Sequence, residues 1–132
     1  MTPDLVVTIT IEASPQDVFP YLVQPDLLVR WLGSWVDVDP QPGGVFAANV
    51  GQTLVRGTYV AVDPPHRVVF TWGIPGSPQL PAGSSTVEIV LRPEGGTTIV
   101  ELTHRDLPDD RHADHEQGWL ELLGVLASIL QQ

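Results

Sequence analysis

The chain opens on a two-residue rhythm. Leu5, Val7, Ile9 and Ile11 alternate with Val6, Thr8, Thr10 and Glu12, the pattern of a strand buried on one face. At Ser14 the rhythm changes. Ser14-Pro15-Gln16-Asp17 reads as a helix start, with Ser14 as N-cap, Pro15 at the first helical position and Asp17 in the first turn. This helix carries Val18, Phe19 and Leu22. Pro25-Asp26 opens a second short helix bearing Leu27, Leu28, Trp31 and Leu32, and Gly33 ends it.

Turn-punctuated strands follow. Residues 35–38 form one, stopped by Pro40 and Pro42, and Gly43-Gly44 leads into 45–50. Gly51-Gln52 turns the chain into 53–62, and Asp63-Pro64-Pro65 turns it into 66–74. Residues 75–83, rich in Pro, Gly and Ser, predict a surface loop long enough to act as a mobile lid. Two more strands, 86–91 and 97–104, flank Pro93-Glu94-Gly95-Gly96. Short strands joined by tight turns imply an antiparallel meander.

From 109 to 131 the period becomes helical. Asp109 and Asp110 supply the negative charge a helix N-terminus favours. Trp119, Leu122, Leu123, Leu126, Ile129 and Leu130 then recur every three or four residues. A strongly twisted sheet wrapped around this last helix would bury its apolar stripe. The expectation is an α+β fold in one domain over 1–132.

Composition narrows the chemistry. Cysteine and lysine are absent, which removes thiol nucleophiles, disulfides, Cys-based metal sites and side-chain Schiff bases. Six arginines face sixteen carboxylates, for a formal charge of −10. Such a surface repels phosphate backbones and anionic membranes, so neither nucleic acid nor membrane is an expected partner. No apolar run approaches the roughly 18 residues of a membrane span. Met-Thr-Pro-Asp lacks the basic start and apolar block of a secretory signal, so the expected location is cytoplasmic.

His112 and His115 lie three apart in an acidic stretch, yet no second His or Cys pair supports a metal site. They fit a solvated helix start, and no metal is expected. No Gly-x-Ser-x-Gly elbow or phosphate-binding glycine loop is present, and Gly43-Gly44 and Gly95-Gly96 read as hairpin turns.

Several segments together resemble the START-like (SRPBCC) superfamily, and within it the family related to the C-terminal domain of the Hsp90 ATPase activator. They are Ile11-Glu12-Ala13-Ser14-Pro15, Pro42-Gly43-Gly44-Val45-Phe46, Gly57-Thr58-Tyr59, Val62-Asp63-Pro64-Pro65, Arg67-Val68-Val69-Phe70-Thr71-Trp72, Leu102-Thr103-His104, and His115 with Gly118-Trp119. The resemblance implies a helix-grip fold, a curved antiparallel sheet around the long C-terminal helix, with two short helices after the first strand. In many relatives a cavity lies between sheet and helix. No cofactor is implied.

With Ala61 and Glu101 set toward solvent, alternation points Arg56, Thr58, Val60 and Val62 inward on one strand, and Thr98, Val100, Leu102 and His104 on another. Phe70 and Trp72, then Val87, Ile89 and Leu91, join them, and the helix adds Trp119, Leu122, Leu123 and Leu126. Trp31, Trp72 and Trp119 fit either core or pocket wall. His104 needs a hydrogen-bond partner, and reads either as a structural cap or as an acid–base group. Arg56 reads either as a ligand-anion clamp or as a partner for Asp37 or Asp39.

The expected function is binding of a mostly apolar molecule, lipid-like or polycyclic aromatic, between sheet and helix. One alternative is a polyketide cyclase or aromatase-like enzyme using His104. Another is an Hsp90-type co-chaperone interaction module. An edge strand offers a route to a homodimer.

Overall fold

The alternation at the N-terminus becomes strand β1 (Leu5–Ile11), with Leu5, Val7 and Ile11 buried. The computed structural model describes residues 4–131, so residues 1–3 and 132 of the expected domain lie outside the described residues.

After β1 come three proline-led helical turns, α1 (Pro15–Val18), α2 (Pro20–Val23) and α3 (Pro25–Leu28). Ser14 caps α1 as expected, its hydroxyl accepting from the Asp17 N–H at 3.3 Å. The single helix expected through Leu22 does not form. Pro20 lacks an N–H and its ring would collide with the carbonyl four residues back, so the chain restarts there as α2. The second expected helix is likewise shorter, and turn bonds such as Trp31 N–H to Leu28 O at 3.3 Å carry the chain on to Leu32.

Six strands follow: β2 (Trp35–Val38), β3 (Val45–Val50), β4 (Thr53–Asp63), β5 (Arg67–Trp72), β6 (Ser85–Glu94) and β7 (Thr97–Arg105). With β1 they make a seven-stranded antiparallel sheet in the order β1-β7-β6-β5-β4-β3-β2. The β6–β7 hairpin closes on Gly95-Gly96, both at positive φ, as a tight two-residue turn needs. A 3₁₀ turn (Asp109–Arg111) leads into the long helix α4 (His112–Leu130), which buries Trp119, Leu123 and Leu126. These elements form the helix-grip arrangement.

Cross-strand register stacks the inner face in rows. Val68, Ile89 and Leu102 form one row, and Phe70, Val87 and His104 another. All six are at most 3% exposed. Phe46 stacks on Phe70 at 3.9 Å, with Tyr59 edge-on to Phe46 at 5.6 Å. Most of the inner face is therefore solid core rather than cavity wall.

Strand β4 departs from the expected alternation. The β4–β5 register shifts between Tyr59 and Ala61, the mark of a bulge. One extra residue reverses the parity upstream, so Val55, Gly57 and Tyr59 face inward and Arg56, Thr58 and Val60 face out. Val62, beyond the bulge, packs on the core as expected. Glycine is required at 57, because a Cβ there would collide with the Thr71 carbonyl oxygen. The Thr71 hydroxyl takes over part of the ladder, accepting from the Thr58 N–H at 2.8 Å.

The loop over 75–83 is strapped down rather than lid-like. The Ile74 N–H donates to Leu80 O at 2.7 Å, and Gly83 N–H to Arg56 O at 3.0 Å. Leu80 is fully buried and plugs the loop into the core.

Candidate functional site

The gap left between sheet and helix is a cleft of about 220 Å³ at one end of the grip. The β3–β4 hairpin contributes Val50, Thr53 and Val55, and the end of β5 and the residue after next contribute Trp72 and Ile74. The 3₁₀ turn and first half of α4 supply Arg111, Asp114, His115, Gly118, Trp119 and Leu122. Thr53 and Asp114 are exposed, so the cleft opens to solvent. The indoles of Trp72 and Trp119 lie 5.0 Å apart, tilted by 50°.

Gly118 is the least expected of these residues. It sits inside a helix, where glycine costs about 1 kcal/mol relative to alanine. Its backbone is not at positive φ, and a Cβ built there would meet nothing within 4 Å. Neither conformation nor a close neighbour calls for glycine. What its missing side chain preserves is open space in the cleft.

Behind the cleft wall lies a hydrogen-bonded chain whose proton positions are determined by its ends. The Trp119 Nε1–H can only donate, and it reaches His104 Nδ1 at 3.1 Å. His104 Nδ1 is therefore an acceptor and Nε2 carries the proton, facing Ser85 Oγ at 2.9 Å. Ser85 passes its own proton to the Trp72 carbonyl at 2.7 Å. His104 is fully buried. Burial foremost, then the charges of His115 and His112, push its pKa down to about 3. Protonating Nδ1 would break the bond to Trp119. This is a neutral structural histidine that orients the Trp119 indole and, through Ser85, ties it to the Trp72 backbone.

His115 is different. Its Nδ1–H donates to the Arg111 carbonyl at 3.0 Å, which leaves Nε2 as a bare lone pair, with no hydrogen bond among the described residues. Burial lowers its pKa despite the opposing Arg111 carbonyl bond and Asp114 charge, so the neutral form prevails at neutral pH. Trp72 contributes a further open valence. It is 4% exposed, and its Nε1–H is a buried side-chain donor without a partner among the described residues.

A family model described as "Activator of Hsp90 ATPase homolog 1-like protein" matches residues 12–131. The chain belongs to this family. Every residue lining the cleft falls within the match. An AHSA1-like protein from Rhizobium etli is 39% identical, over 98% of this chain and 84% of that one, with a TM-score of 0.73. CalU16 from Micromonospora echinospora is 25% identical, over 95% and 74%, with a TM-score of 0.80. The Aha1 dimer from Colwellia psychrerythraea shares the fold at 18% identity and a TM-score of 0.86, over 98% and 96%. No curated protein matches the sequence.

Apart from His104, the side chains expected to line a cavity divide into four groups. Trp72, Trp119 and Leu122 line the cleft. Phe70, Val87, Ile89, Val100, Leu102, Leu123 and Leu126 are core, each at most 3% exposed. Trp31 belongs to the proline-led turns, its Nε1–H bonded to Tyr21 O at 2.8 Å. Arg56 and Thr58 are turned outward by the bulge, and Arg56 cannot reach the interior. The cation at the cleft is Arg111 instead.

Sequence reasoning missed Val50, Thr53, Val55 and Ile74, whose place depends on how far the β3–β4 hairpin reaches along α4. It also passed over Gly118, for which a glycine inside a strongly periodic helix was the available signal. Among the described residues no group of three or more His, Asp or Glu side chains converges as a metal site. None of their helices is long and apolar enough to cross a membrane.

Proposed function

We propose that this protein binds a small, mostly apolar molecule in the cleft between the β3–β4 hairpin and the first half of α4. The observation that carries this reading is Gly118, a helix-weakening residue whose only evident effect is to keep that space open. The paired indoles support it. Volume sets the ligand's size. An apolar cavity of about 150 Å³ accepts benzene, and drug-sized ligands take roughly 300 Å³ or more. At about 220 Å³ the cleft suits one or two rings, smaller than a lipid-like or polycyclic guest.

The cyclase-like alternative loses its acid–base residue, because His104 is saturated by hydrogen bonds in its neutral form. The rival from a different class is the activity in the family's description, stimulation of an Hsp90-type ATPase. Capture of such an ATPase with raised turnover, unaffected by filling the cleft, would replace the binding reading.

The test is a screen of one- and two-ring compounds against protein labelled with ¹⁵N at tryptophan. The four indole N–H signals separate the sites. Ligands should move Trp72 and Trp119 and leave Trp35, exposed on β2, in place. Shifts confined to Trp35 would reject the cleft.

A further inference from the structure

We propose that the cleft selects a ring compound carrying an acidic oxygen, a carboxylic acid or a phenol, with that group held between Arg111 and His115 and the ring against Trp72 and Trp119. This rests on the binding reading above and adds the class of ligand.

Charge pairing gives the first reason. Carboxylates outnumber arginines sixteen to six, and Arg67, Arg92 and Arg105 are each ion-paired. Arg111 is half-buried at the cleft and makes no ion pair among the described residues, despite lying beside Asp109 and Asp110 in sequence. A guanidinium in that position has a fork of N–H donors to offer an incoming oxygen pair.

The second reason is complementarity. His115 presents Nε2 as an acceptor, because its other nitrogen is committed to the Arg111 carbonyl. A phenol satisfies both neighbours at once, donating its O–H to Nε2 and accepting from the guanidinium, and a carboxylate does so when one proton is taken up from water on binding and shared between its oxygen and Nε2. Neutral hydrocarbons would leave both groups unmet, at a desolvation cost. Asp114 opposes the assignment, since its carboxylate also borders the cleft and would favour a cation. It is exposed, however, and water screens it more than it screens the half-buried Arg111 and His115.

The test uses three naphthalene derivatives of similar size on the full chain: 1-naphthoic acid, its methyl ester and 1-naphthylmethylamine. Binding is followed by calorimetry and by the tryptophan indole signals. The acid should bind at least about tenfold more tightly than the ester, the gain of one charge-assisted hydrogen bond. Arg111→Gln should shrink that ratio below about threefold, and Arg111→Lys, which keeps the charge but loses the fork, should restore part of it. Equal binding of acid and ester, or tightest binding by the amine, overturns the acid assignment while the cleft reading stands. If no derivative moves Trp72 or Trp119, both fail.

Discussion

Replacing Gly118 with leucine separates the cleft from the core more sharply than any other single change. A leucine in a helix interior is favoured over glycine by about 0.8 kcal/mol. Its side chain would enter open space, since no atom lies within 4 Å of the Cβ position, and partial burial against Trp72 and Trp119 adds roughly 1 kcal/mol. The variant should therefore be more stable than the parent by about 1–2 kcal/mol. In urea unfolding followed by tryptophan fluorescence, that moves the midpoint up by roughly 0.5–1 M with m unchanged. The same four carbons occupy much of a 220 Å³ cleft, so affinity for a two-ring ligand should fall beyond detection. Gly124→Leu is the control. Gly124 lies on the exposed side of the same helix, also with nothing within 4 Å of its Cβ position, and should gain stability without affecting the ligand. Loss of stability in Gly118→Leu, or ligand affinity equal to the parent's, would refute the reasoning.

Two other outcomes follow from the geometry. Because the native fold holds His104 neutral with its pKa near 3, the unfolded chain takes up this proton first, and stability falls as pH drops below 6.5. The loss from His104 alone should be about 1.4 kcal/mol between roughly pH 7.5 and 5.5, and His115, also lowered, adds to it. His104→Phe should remove its share of that slope and cost about 2–4 kcal/mol at pH 7.5, because Trp119 Nε1–H is left without an acceptor. A variant with the parent's slope would show that the buried network is not what titrates. Trp35 is 48% exposed on the edge strand β2. Such an edge is where the homodimer expected from the sequence would pair, so Trp35→Ser should shift sedimentation from dimer to monomer, and a parent that sediments as a monomer would dismiss that expectation.

Element type was legible wherever local periodicity determined it. The clean alternation at Leu5–Ile11 and the three- and four-residue spacing from Trp119 to Leu130 both reappear as the elements they imply. Pro20 was legible too, as a helix breaker, and a reading weighted toward the apolar spacing of Val18, Phe19 and Leu22 passed over it. The bulge at Tyr59 was not legible. Alternation carries no mark of an inserted residue in a strand with small or apolar side chains on both faces, as at Gly57-Thr58-Tyr59-Val60-Ala61. One slip there turned Arg56 from an interior cation into a surface one. The role of His104 depended on partners 19 and 15 residues away, Ser85 and Trp119, which only the folded register brings within 2.9 and 3.1 Å. The cleft itself depends on where two elements fail to meet, a property of tertiary packing that no local pattern records.

Isotope-filtered nuclear Overhauser contacts between unlabelled 1-naphthoate and the labelled protein test the binding site most directly. Ring protons should show contacts to the indoles of Trp72 and Trp119 and to the methyl groups of Leu122 and Val55, all of which line the cleft. Contacts restricted to Val6, Trp35, Leu54 and Val60, large apolar residues exposed on the sheet, would contradict a ligand held between sheet and helix.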